Sequence, residues 1–113
     1  MTARGRSVVP QNVPLPSLTP ADVEFRQHGS GATYWQYSYP GVDLVDVERV
    51  VDELQAEGLK LHEEILVTGY WQWFFDGPEN MVQLSYTTTD GSDVGGDMYY
   101  LIWSCAISDQ NCG

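Results

Sequence analysis

Between Asp43 and Gly58 the apolar residues Leu44, Val47, Val50, Val51 and Leu54 recur every three or four positions, and on either side of that stretch apolar residues tend to alternate every second position. The first spacing lines up one stripe on a helix and predicts an amphipathic helix over "DLVDVERVVDELQAEG". Its ends carry local signals. Asp43 can cap the first turn, Asp46 sits favourably at the positive end of the helix dipole, and Gly58 can end the helix in the left-handed conformation. Opposite the stripe lie Asp46, Arg49, Asp52, Glu53 and Glu57, an acidic face of the kind that solvent ordinarily covers.

The second spacing predicts strands. "DVEFRQHGSGATYWQYSY" reads as a hairpin of residues 23–28 with 32–39 around a Gly-Ser-Gly loop, in competition with a short helix capped by Thr19 with Pro20 at its first position. "LKLHEEILVTGYWQWFF" reads as one long strand, bulged or bent at Gly69, followed by the turn "DGPEN". "MVQLSYTTT" and "MYYLIWSCAI" are two further strands joined by the glycine-rich "DGSDVGGD". Short polar turns imply antiparallel pairing. The expected fold is α+β in the order ββαβββ, a single antiparallel sheet of four to five strands with one α-helix packed on one face. Pro10, Pro14, Pro16 and Pro20 make residues 1–20 an extended arm, leaving 21–113 as the folded domain.

Strand parity then divides the side chains between two faces. Trp35, Tyr37, Tyr39, Leu61, Ile65, Val67, Trp71, Trp73, Phe75, Val82, Leu84, Tyr86, Tyr99, Leu101, Trp103, Cys105 and Ile107 form one set, with Glu63 its main polar exception. This set is assigned to the core beneath the helix. The other holds Tyr34, Gln36, Ser38, Leu66, Thr68, Tyr70, Gln72, Phe74, Met81, Gln83, Ser85, Thr87, Met98, Tyr100, Ile102 and Ser104, and none of these is charged. Interface cores are poor in charge and rich in Tyr and Met, so this face reads as a contact surface. The competing explanations are that the proline-rich arm lies over it or that solvent does.

Charge sharpens the choice of partner. The net charge is -11 over 113 residues, unevenly spread. Residues 1–39 sum to +1, with Arg4, Arg6 and Arg26 against Asp22 and Glu24; residues 40–113 sum to -12, with only Arg49 and Lys60 against fourteen acids. A phosphate backbone or an anionic membrane surface needs clustered Lys and Arg, so neither is an expected partner. Another protein with a basic surface is. Without a long apolar run or a signal-like N-terminus, the chain reads as soluble and cytoplasmic, or as extracellular if a leader has been removed. Cys105 and Cys112 stand too far apart for a C-x-x-C pair, though an oxidising compartment would allow a terminal disulfide.

Candidate chemistry is thin. "HEE" at 62–64 lacks the second histidine of a zinc-protease helix and lies in a strand, where His62 and Glu64 share a face. Asp90, Asp93 and Asp97 lack the ligand spacing of a calcium loop, and the glycine clusters lack the lysine and helix of a phosphate loop. No catalytic residue, metal or cofactor is therefore assigned. The expected function is non-enzymatic protein binding, as an acidic inhibitor or antagonist that occludes a basic surface, of the sort found on nucleic-acid-processing proteins. The contacts assigned to it are Tyr70, Gln72, Phe74, Tyr100, Asp46, Asp52, Glu53 and Glu57. Two alternatives stand beside it: a structural protein self-associating, for instance as a homodimer, through the uncharged face, and a carbohydrate- or small-ligand-binding module using its aromatic residues.

Overall fold

The computed structural model describes residues 13–29, 31–77 and 80–104. Strands β1 (Asp22–Gln27) and β2 (Thr33–Val42) precede helix α1 (Leu44–Ala56), and β3 (Lys60–Val67), β4 (Tyr70–Asp76), β5 (Met81–Thr87) and β6 (Gly96–Trp103) follow it. All six strands form one antiparallel sheet in the spatial order β1-β2-β6-β5-β4-β3. Because β2 lies near one edge and β3 is the other, α1 must cross a face of the sheet to connect them. Its stripe of Val47, Val50, Val51 and Leu54 is buried there against Trp73, Phe75, Leu84, Tyr86 and Tyr100.

The helix ends where local chemistry ends it. Asp46 accepts the Asp43 N–H at 3.4 Å, and Gly58 takes a φ of 109° beyond the last turn. The Gly58 and Leu59 N–H groups return to the carbonyls of Gln55 and Leu54, both at 3.1 Å, so two otherwise orphaned acceptors are satisfied. At the other end Leu44 donates to the Asp93 carbonyl at 2.8 Å and Asp43 Oδ1 accepts the Gly95 N–H at 2.9 Å. These bonds tie the start of α1 to the β5–β6 loop.

The expected fold is corrected on two points. Among the described residues the sheet has six strands, not four to five, and strand makes up 52% of them, so the fold they form is mostly β with a single helix in the order ββαββββ. The extra strand arises because residues 59–75 do not run straight: a single strand of that length would extend roughly 55 Å, beyond the longest molecular dimension of 43 Å. Instead Thr68 and Gly69, the latter at φ 90°, form a two-residue hairpin loop with Val67 opposite Tyr70. The competing short helix near residue 20 does not form, since Asp22–Gln27 pairs with β2 as a strand.

Parity is corrected with it. Val67 pairs with Tyr70 across the two-residue loop, so Ile65 and Val67 fall on the face away from the helix and Glu64 and Leu66 on the helix side, while a bulge between Leu61 and Glu63 returns Leu61 to the helix side. In β6 the assignment reverses completely. Tyr100 pairs with Tyr37 and Leu84, so Met98, Tyr100 and Ile102 enter the core, whereas Tyr99, Leu101 and Trp103 face the other way. Cys105, Ile107 and Cys112 lie outside the described residues. No helix among the described residues is long and apolar enough to cross a membrane.

Candidate functional site

Tyr70, Gln72 and Phe74 do stand on the face that α1 leaves uncovered. Cross-strand pairs extend this face from Val67 through Tyr70 to Thr87, from Ile65 through Gln72, Ser85 and Tyr99 to Ser38, and from Phe74 through Gln83 and Leu101 to Gln36. Its middle carries no charge, and Asp22, Glu24, Glu63, Asp76 and Asp97 mark its margins. Part of it is self-packed: Trp103 lies 4.6 Å from Tyr34 and 5.7 Å from His28 by ring centroids, and its indole N–H donates to Gln83 Oε1 at 3.3 Å. The open portion is at the β3–β4 end, where Val67 is 57% and Tyr70 44% exposed.

The other predicted contacts are not part of this surface. Tyr100 is a correction: it is fully buried on the helix side, where its hydroxyl donates to the Pro14 carbonyl. Burial, with Tyr39 and Tyr37 nearby, drives its phenol far above the ordinary range; burial first and then Tyr37 push Tyr39 up to about 12. Val13 is buried in the same core, Leu18 packs against it, and Ser17 Oγ donates to Glu53 Oε2 at 2.9 Å. Residues 13–18 therefore lie beside the helix and not over the uncharged face; residues 1–12 lie outside the described residues.

That placement accounts for Glu53, held by Ser17, and for Asp46, which accepts from Asp43 and pairs with Arg49 at 3.2 Å. Asp52 on the helix and Glu57 just beyond its end remain exposed. The acids and the aromatic face are thus on opposite sides of the sheet, and the eight residues do not form one surface. Periodicity assigns residues to faces but not faces to each other.

The structure forms a different constellation at the β3 edge. Glu48 and Asp52, one helical turn apart on α1, face Glu64 of β3 across a groove of about 270 Å³ floored by Val51, Leu66, Trp71 and Trp73. Leu66 is 59% exposed, and the Trp71 ring is backed by Tyr86 at 5.3 Å. The lining holds three carboxylates and neither Lys nor Arg. Glu64 enters it because the two-residue loop at Thr68 and Gly69 pairs it with Trp73 on the helix side, and no pattern in "LHEEIL" announces that turn. Glu48 and Asp52 at i and i+4, flanking the buried Val51, are the one signal the sequence offers.

Elsewhere the β5–β6 loop is organised internally. Asp90 Oδ1 accepts the Ser92 N–H at 3.0 Å, and the Ser92 contacts hold its carboxyl below the usual range. Thr88 Oγ1 donates to the Ser92 carbonyl at 2.8 Å. Among the described residues no three His, Cys, Asp or Glu side chains converge as a metal site would require. No protein-family model matches the chain, and neither curated proteins nor solved structures give a match.

Proposed function

We propose that the chain is a non-enzymatic protein-binding module that acts by covering a basic surface of another protein, with the groove between α1 and β3 as its point of attachment. The observation that carries this is the set of carboxylates Glu48, Asp52 and Glu64 around an apolar floor of which Leu66 is exposed and Trp71 half-buried, with no cation in the lining. Like charges gathered beside the exposed Leu66 and the half-buried Trp71 are unfavourable in the free protein and are offset by a cationic partner. The net charge of -11 supports the same reading, since it steers a basic protein inward over long range while the apolar floor contributes contact area.

Binding measured against a panel of folded basic proteins, for the wild type and for E48Q/D52N/E64Q, tests this. A salt-sensitive complex at micromolar or tighter affinity, weakened on the order of tenfold or more in the variant, is the expected result. Complexes that ignore both salt and the triple substitution overturn it.

The exposure of Val67 and Tyr70 on an uncharged sheet face favours a second reading, self-association through that face. Sedimentation separates the two: a concentration-dependent dimer that Tyr70→Asp abolishes supports the second, and a monomer at all concentrations removes it.

A further inference from the structure

We infer that the α1–β3 groove is a socket for a single arginine side chain carried by the partner. This rests on the protein-binding reading above and specifies its chemistry. The carboxylates come from two walls, Glu48 and Asp52 from the helix and Glu64 from the strand, so an entering cation is bracketed instead of approached from one side. Among the described residues no three His, Cys, Asp or Glu side chains stand as a metal site would require.

Arginine fits each part of that description better than lysine. Its guanidinium is flat, weakly hydrated and carries five N–H donors in a fork, so it can lie against an indole and still reach acids on two sides. An ammonium is a compact, strongly hydrated point charge and loses more water on the same floor. The groove, at about 270 Å³, lies just below the usual range of pockets that enclose whole small-molecule ligands and has room for a long side chain. Its floor is held in advance: Trp71 rests on Tyr86, whose hydroxyl is itself bonded to Val42 and Gly96. Little ordering is then required when a side chain enters.

The four indole N–H resonances of the intact chain provide the readout. Capped Gly-Arg-Gly, Gly-Lys-Gly and Gly-citrulline-Gly peptides are titrated at low ionic strength into the wild type, Glu64→Gln and the E48Q/D52N pair. The arginine peptide is expected to shift Trp71 and Trp73 saturably, with a dissociation constant in the millimolar range, and to leave Trp35 and Trp103 in place. Citrulline should have no effect, lysine should bind about threefold or more weaker, and each carboxylate removed should weaken arginine by about threefold. Silence at Trp71 and Trp73, or an equal response to citrulline, overturns the socket. Equal binding of lysine and arginine overturns the arginine assignment and leaves the basic-partner reading standing. So does a basic protein whose binding is lost in Tyr70→Asp but kept in Glu64→Gln. Only if no basic protein binds does that reading fall as well.

Discussion

Replacing Tyr86 by phenylalanine removes one oxygen from the middle of the molecule, and its effect can be worked from the contacts. The residue is fully buried, and its hydroxyl donates to the Val42 carbonyl at 2.8 Å and accepts the Gly96 N–H at 3.1 Å. Phenylalanine keeps the ring and its packing on Trp71, so the loss is polar. Gly96 is itself buried, and there is no room beside it: a Cβ built at Gly96 would stand 2.8 Å from the Tyr86 ring. Its N–H therefore loses its partner without water to replace it, which costs about 1–3 kcal/mol. The Val42 carbonyl is half-buried and can turn to solvent, so it adds about 0.5–1 kcal/mol. A total near 2–3 kcal/mol corresponds to a fall in Tm of roughly 8–12 °C for a domain of this size. Calorimetry and urea unfolding measure it, with the denaturant slope expected to stay constant because the exposed surface hardly changes. A fall under about 2 °C would refute the reasoning, because it would mean that water reaches Gly96 once the hydroxyl is gone.

Two further outcomes follow from the tyrosines on the helix side. Tyr100→Phe should release residues 13–18 locally, at a cost of about 1 kcal/mol, so their amides should exchange roughly fivefold faster while the sheet is unaffected; unchanged exchange there would refute the Tyr100–Pro14 tether. Alkaline stability should also respond: Tyr39 is raised from 10.0 to about 12 and Tyr100 is raised as well, so the unfolded chain loses these protons first. The stability Tyr39 contributes is complete below pH 10.0 and drains away as pH climbs through about 12, and that of Tyr100 persists to higher pH. Denaturant unfolding at a series of alkaline pH values should show a decline on the order of 1–2 kcal/mol for Tyr39 alone, and a flat profile across that window would count against the burial of these phenols.

The helix, its caps, the first hairpin and the core positions of β5 were legible in the sequence because each is decided by neighbours a few residues away. Leu44 to Leu54 can share a stripe only on a helix, and Gly58 is where a left-handed residue is needed. Of the predicted contacts, Tyr70, Gln72 and Phe74 were placed on the uncovered face for the same reason, since β4 alternates two indoles and a phenylalanine against them.

What only the tertiary structure decided is which way the strands with two apolar faces turn. "MYYLIW" can bury either half of its side chains, and "ILVTGYWQW" stays apolar through its hairpin, so a parity reversal leaves no trace in the pattern. The choice for β6 was made by Tyr37 and Leu84, its partners in β2 and β5, and it moved Tyr100 from the surface to the core. The groove needed more: the two-residue turn at Thr68 and Gly69, the placement of β3 at the sheet edge and the passage of α1 beside it bring Glu48, Asp52 and Glu64 together. Local periodicity specifies an element and its amphipathic stripe, but a pleated strand that is apolar on both sides takes its orientation from cross-strand partners far along the chain, and so does any site built from it.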